Sequence, residues 1–406
     1  MMDETPPTAG PADGKATSCP SCDGTAIETI YTARSIPVHS CILMGSRDEA
    51  VGYPRGDLEL AFCDSCGFVF NRVFDRTVHE YSHSYEETQG FSPTFGAFAR
   101  SLAERLDARF ALRGKTVLEI GCGKGEFLAQ LCALADCQGI GLDPSYVPGR
   151  LPDDLARRVR FIEDFYGPAY AHLEADLVCC RHTLEHIDST GAFVADLHTA
   201  LAARPATPVF FEVPDARRVL QEGAFWDIYY EHCSYFSAGS HARLFRRAGF
   251  DVLDLELAYA GQYILQTAVH ANGGAPVPPA PLEDDLSAMR AAAAAFPATV
   301  RLSIERWHDQ IERARRRGRR VVIWGSGSKG VAFLTTLGLG DAVEHVVDIN
   351  PHRHGRFMPG TGQEIIAPER LATLRPELVI VMNPVYVDEI SADLERLGVS
   401  AEVRAV

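Results

Sequence analysis

The chain has 406 residues, enough for two or three domains, and 46% of them are hydrophobic, enough to fill ordinary cores. A net charge of −15 argues against a nucleic-acid or anionic-membrane surface. No apolar run reaches transmembrane length, and the Pro-, Ala- and Gly-rich start, residues 1–18, has no apolar signal core. That start reads as a disordered lead-in, and the expected location is cytoplasmic.

Eleven cysteines in a chain of this size point to metal or to core packing rather than to disulfides. Cys19-Pro20-Ser21-Cys22 and Cys63-Asp64-Ser65-Cys66 are two Cys-x-x-Cys pairs, each followed by a nearby glycine. Cys19, Cys22, Cys63 and Cys66 can close a tetrahedral zinc site, and a full set of thiolates leaves no open position for catalysis. A redox role is the rival reading, but neither pair has a thioredoxin-like context. Residues 19–90 therefore read as a zinc-binding lobe. Within it Tyr81, His83, Tyr85 and Glu86 are candidates for a pocket entrance. Cys122, Cys132, Cys179 and Cys180 fall in apolar segments and read as core.

Residues 95–110 have helical spacing and lead into Val117-Leu118-Glu119-Ile120-Gly121-Cys122-Gly123-Lys124-Gly125. A short apolar strand ends here in an acid and breaks into a glycine turn before a helix, a place where backbone approaches a nucleotide-like ligand. The acid within the strand end repels a pyrophosphate but suits a cationic amino acid. Gly139-Ile140-Gly141-Leu142-Asp143 is a second strand ending in an acid, placed to accept ribose hydroxyls. A ligand with a ribose and an amino acid but no phosphate is S-adenosylmethionine. These look like the first two motifs of class I methyltransferases. Glu119, Gly121, Gly123, Gly125 and Asp143 are then donor-site residues, joined for the adenine by Asp164, in which the next short strand is expected to end. His182, after the strand 176–180, is placed to contact donor or acceptor. Glu185 and His186 read equally well as structural helix-start residues.

Trp226 to Ser237 packs aromatics around Glu231 and His232 and is the most reactive-looking stretch of the chain. A helix over 240–249 and strands over 251–260 and 262–270 complete a methyltransferase sheet, giving a domain over 91–271. Residues 272–285 are a Gly- and Pro-rich linker. Residues 286–317 are helical in pattern, with an interruption expected at Pro297, and the arginines from Arg313 to Arg320 read as a solvated helix end. A second α/β unit fills 286–406. Its strand Val321–Trp324 runs into Gly325-Ser326-Gly327-Ser328-Lys329-Gly330, and the next strand ends at Asp348. Taken alone, that fingerprint fits NAD, and Ser326, Ser328 and Lys329 suit a diphosphate equally well.

The combination resembles the sugar C-methyltransferase family, from Cys19 to about Ile390, through the paired Cys-x-x-Cys sequences, Glu119 to Gly125, Tyr229 to Phe236, Gly325 to Gly330, and Asp348-Ile349-Asn350-Pro351 with Pro359-Gly360-Thr361-Gly362. The resemblance implies an α/β protein with a zinc-binding N-terminal lobe, a central class I methyltransferase domain and a C-terminal Rossmann-like domain. It implies Tyr229, Glu231 and His232 as catalytic residues. It assigns Gly325, Ser326, Ser328, Lys329 and Asn350 to a nucleotide-diphosphate sugar, with S-adenosylmethionine and structural zinc as cofactors and no redox coenzyme. The run Ser326 to Gly330 and the phrase around Met358 depart from the sugar enzymes proper, so the acceptor is less defined than the reaction class. Three readings follow: C-methylation of a nucleotide-linked keto sugar through an enolate, with His232 as base; N- or O-methylation of a natural-product or glycan intermediate; or an NAD-binding redox or interaction protein. The oligomeric state is left open.

Overall fold

A computed structural model describes residues 15–78, 85–271, 273 and 277–406. Tyr81 and His83 lie outside the described residues. The strands are β1 (Ile27–Pro37), β2 (Arg55–Cys63), β3 (Val69–Asn71), β4 (Thr116–Ile120), β5 (Gln138–Leu142), β6 (Val159–Ile162), β7 (Leu177–Arg181), β8 (Val209–Pro214), β9 (Ser234–Tyr235), β10 (Phe250–Ala258), β11 (Tyr263–His270), β12 (Val321–Trp324), β13 (His345–Val347), β14 (Glu364–Ile366), β15 (Leu378–Val381) and β16 (Glu402–Ala405).

They form three sheets, each with its own logic. The central one has the order β10-β11-β8-β7-β4-β5-β6. β4 to β8 are parallel, and β11 and β10 return antiparallel. Parallel strands need both faces covered, and Val117, Leu118 and Ile120 of β4 are accordingly buried. One face packs on the helices Pro93–Phe110 and Glu126–Ala135 through Leu102, Leu106, Leu128 and Leu131. The other packs on Val194, Leu197, Leu244 and Phe245. The chain leaves β4 for β5 on one side and β7 lies on the other, so the crevice opens at the carboxyl end of β4.

The C-terminal sheet is all parallel, in the order β14-β13-β12-β15-β16, and its own switch point lies at β12. The helix Leu286–Arg316 leads into it without a break and carries Pro297 inside it, where an interruption was expected. Phe296 and Val300 flank the proline and are buried in one core with the N-terminal lobe. That packing outweighs the local preference. The arginines at its end are largely ion-paired, Arg315 with Glu312 and Arg319 with Glu402. No helix among the described residues is long and apolar enough to cross a membrane.

The N-terminal sheet, β1-β2-β3-β9, is completed from the middle of the chain: β9 pairs antiparallel with β3. The stretch from Trp226 to Phe236 thus belongs structurally to three units at once. Phe225, Trp226, Ile228 and Tyr230 share a core with β1 and β2 and with Phe333 and Ile323 of the C-terminal unit.

Candidate active site

The two crevices face each other across one cavity of about 1750 Å³. Glu119, Gly121, Gly123, Asp143, Asp164, His182, Tyr229, His232, Gly325, Ser328, Lys329 and Asn350 line it. Gly125, Ser326 and Glu231 do not.

On the central side the glycine turn is shaped by contact. Gly121 has φ +70°, and a Cβ there would lie 2.0 Å from Thr183 Oγ1. Gly125 has φ +82°, and its Cβ would meet the Phe161 ring at 2.4 Å, so this glycine serves packing. Asp143 accepts from Gly123 N–H at 2.8 Å and from Ser145 N–H at 2.7 Å, which ties the end of β5 to the turn. β6 ends at Ile162, short of Asp164. Asp164 sits exposed at the rim, and the Tyr170 hydroxyl and the Phe165 N–H on its carboxylate hold it below the usual range. The turn offers backbone and the Glu119 and Asp143 carboxylates to the cavity, which fits a cationic donor with a ribose.

A buried charge cluster lies at the ends of β7 and β8. Arg181 Nε donates to Glu212 Oε2 at 2.5 Å, and His182 Nε2 lies 3.2 Å from Glu212 Oε1. His182 Nδ1 lies 3.6 Å from Glu185 Oε1. Burial would push the Glu212 carboxyl up, but Arg181 and His182 more than reverse it and bring it to about 2. Burial opposes a charge on His182; Glu212 and Glu185 overcome it and raise it to about 9. His182 therefore stands as an imidazolium at neutral pH. Its backbone is left-handed, with φ 50°, a conformation that non-glycine residues rarely adopt and that marks functional sites. Glu119 is nearly inaccessible, its Oε2 has no hydrogen-bond partner, and burial pushes its carboxyl up to about 7 against the pull of Arg181.

Tyr229 Oη and His232 Nε2 are 3.0 Å apart, with their rings 4.2 Å between centroids. Burial pushes the Tyr229 phenol well up, so it stays protonated. The His186 ring stands edge-on to His232 at 4.8 Å, and burial with its histidine neighbours keeps it neutral. Glu231 turns the other way. Its Oε2 accepts from Ser40 N–H at 2.9 Å and from Ser40 Oγ in the N-terminal lobe, and burial raises its carboxyl to about 7. The acid beside His232 is Glu185: ligand atoms of Glu185, His186 and His232 lie within 4.8 Å of one another.

On the C-terminal side Gly325 has φ +119°, and a Cβ on Gly330 would strike Gly325 O at 2.4 Å. Two of the three fingerprint glycines, Gly325 and Gly330, are thus required by the turn, while Gly327 has open space around it. Ser326 is sealed, with its N–H and hydroxyl on Asp348. Asn350 Nδ2 donates to Glu86 Oε1 at 3.0 Å, and Glu86 also takes Arg150, so its carboxyl falls despite burial. The Ser328 and Ser40 hydroxyl oxygens lie 2.7 Å apart. Lys329 Nζ lies 2.8 Å from Asp227 Oδ1, and Gln262 and Asn383 exchange amide hydrogen bonds at 2.9 and 3.0 Å beside it. Asp348, which would read a ribose in a dinucleotide fold, is already committed to Ser326 and the Asn350 N–H.

Away from the cavity, Cys19, Cys22, Cys63 and Cys66 converge, with Sγ separations of 3.7 Å for Cys19–Cys66 and 3.6 Å for Cys22–Cys63. A tetrahedral zinc at the usual Zn–S distance of about 2.3 Å spaces its sulfurs by about 3.8 Å. The donor set and its spacing fit that ion. Cys66, hydrogen-bonded to Cys19, is lowered to about 5 while Cys19 is pushed up.

Several lining residues carry no signal in their own stretch. Arg181 is a buried charge at the end of an apolar run, backed by the buried Glu212 behind the wall; Asp227 is half-buried beside aromatics, and Gln262 ends a turn. Pairing across 31 residues, as for Arg181 and Glu212, becomes visible only in the fold. The two adjacent charges in Arg181-His182 at a strand end were the one hint.

Residues 95–255 match the family described as methyltransferase domain, and residues 283–401 match the C-methyltransferase C-terminal domain. The chain is similar to the C-methyltransferase NovU of Streptomyces niveus, 28% identical over 364 residues, which cover 86% of this chain and 85% of that one. Among solved structures, the 1,6-didemethyltoxoflavin-N1-methyltransferase of Burkholderia thailandensis is 22% identical, covering 43% of this chain and 79% of that one with a TM-score of 0.35. The magnesium protoporphyrin IX methyltransferase of Synechocystis PCC 6803 is 18% identical, covering 44% and 80%, with a TM-score of 0.33. With both domains present in order, the chain is an S-adenosylmethionine-dependent methyltransferase with a region similar to the C-methyltransferase C-terminal domain.

Proposed function

We propose that this enzyme methylates a carbon atom next to the ketone of a nucleotide-linked keto sugar. The observation that carries the reading is the Tyr229–His232 pair, 3.0 Å apart, on the wall shared by the donor crevice and the C-terminal crevice. S-Adenosylmethionine, held by Glu119, Gly121, Gly123, Asp143 and Asp164, supplies an electrophilic methyl group. Carbon must be made nucleophilic by losing a proton. His232 takes that proton, since a neutral imidazole has a free lone pair to accept it and His232 reaches the cavity. Tyr229, protonated throughout, donates a hydrogen bond to the oxygen of the enolate. His182 is unsuited to the base role because the nearby Glu212 and Glu185 carboxylates favour its charged form. Glu231 braces the loop against Ser40.

Gly325, Ser328, Lys329 and Asn350 face the acceptor's diphosphate, while Ser326 shapes the turn from behind. Cys19, Cys22, Cys63 and Cys66 hold a structural zinc. The test uses a nucleotide-linked 4-keto sugar in deuterated water with S-adenosylhomocysteine in place of the methyl donor. Deuterium should enter the carbon beside the ketone, and the exchange should vanish in His232→Asn. Methyl transfer without exchange would point to a nitrogen or oxygen acceptor, and tight NAD binding with no transfer to any acceptor would overturn the reading.

A further inference from the structure

We infer that Glu87, from the segment that precedes the methyltransferase domain, recognises the α-ammonium group of the methyl donor. Glu87 lies outside every glycine-turn motif, yet it reaches over that turn. A Cβ on Gly123 would come within 2.6 Å of Glu87 Oε1. Glu87 lines the cavity together with Gly121, Gly123 and Asp143. Its Oε2 is buried, has no hydrogen-bond partner, and lies 3.8 Å from Lys124 Nζ. That lysine is itself spent on Ser145 O at 2.6 Å.

A second buried carboxylate oxygen without a partner, Glu119 Oε2, comes from β4. Glu119 is 2% exposed, and it lines the same cavity. Two unsatisfied acceptors beside one glycine turn are costly unless a donor group arrives to fill them. Burial pushes the Glu87 carboxyl up to about 7, with Lys124 opposing it. The group thus gains most from a cation. The donor carries two positive centres, sulfonium and ammonium. Asp143 is spent on the Gly123 and Ser145 N–H groups at the ribose end. Glu87 lies beside Gly123 on the side of the turn reached from the N-terminal lobe, which suits the amino-acid end.

The test compares two probes on the full chain by calorimetry. S-Adenosylhomocysteine has the amino acid; 5′-methylthioadenosine has the same nucleoside and sulfur but no amino acid. Glu87→Gln should weaken S-adenosylhomocysteine binding by about ten- to a hundredfold, the range of a hydrogen bond to a charged group. It should leave methylthioadenosine affinity within about twofold. Equal losses for both probes would assign Glu87 to the ribose or to folding, and unchanged S-adenosylhomocysteine affinity would remove it from the donor site; either overturns the inference. The unmutated chain gives an independent check. An S-adenosylhomocysteine analogue with hydroxyl in place of the amino group should bind at least about tenfold more weakly; equal affinity refutes ammonium recognition whatever the variant does.

Discussion

Replacing Glu212 by glutamine removes one charge from the centre of the protein and leaves its shape. Glu212 is fully buried, accepts from Arg181 Nε at 2.5 Å and lies 3.2 Å from His182 Nε2. Its carboxyl falls from an ordinary 4.5 to about 2. At about 1.4 kcal/mol per unit, the ionised group contributes about 3 kcal/mol to stability at neutral pH. Loss of one partner from a buried pair costs about 3–5 kcal/mol by a separate route, so the two agree at about 3. For a domain of this size that lowers Tm by roughly 6–12 °C. A carboxyl with a depressed folded value stabilises above its ordinary range and loses that contribution as pH falls through the folded value. The gap between parent and Glu212→Gln should be full at pH 7 and narrow as pH drops from 4.5 toward 2. Urea and thermal denaturation followed by circular dichroism measure both. A Tm within about 2 °C of the parent at pH 7, or a gap that does not narrow in acid, would refute the assignment of the charge.

His232→Asn should cut methyl transfer by at least about a hundredfold while S-adenosylhomocysteine affinity, measured by calorimetry, stays within about twofold. Tyr229→Phe should lower kcat more than it changes acceptor KM, because the phenol acts on charge that appears after proton loss. Cys63→Ser should take zinc, read by native mass spectrometry, from one ion per chain toward none and lower Tm with it. Gly121→Ala should abolish donor binding, since its Cβ would lie 2.0 Å from Thr183 Oγ1 at φ +70°. Adding Thr183→Ala relieves the clash but not the backbone strain, so calorimetry should show only partial recovery.

The parallel strands and the glycine turn were legible because each is a local pattern. Val117 to Gly125 contains its own strand, acid and turn, and the structure reproduces them with shifts of a residue or two. The Cys-x-x-Cys pairs were legible for the same reason, although their convergence needed the sheet between them. Glu231 shows where such reading stops. Its neighbour in sequence is His232, but its partner in space is Ser40, 191 residues away. Lys329 carries the same lesson, since a free phosphate ligand in the motif is tied to Asp227 in the fold. The helix through Pro297 was misjudged because the packing that sustains it comes from the N-terminal lobe. Glu87 escaped notice because nothing repeats around it.

The pairing of β9 with β3 makes the amino-terminal lobe hostage to residues synthesised much later. Val69 meets Tyr235 across that ladder, so the sheet stays one strand short until the five parallel strands of the glycine-turn domain have left the ribosome. An excised fragment ending near residue 90 would expose the β3 edge and invite edge-to-edge aggregation. Soluble production of that lobe therefore calls for supplying the residues around Tyr235 in trans, or for leaving the polypeptide whole.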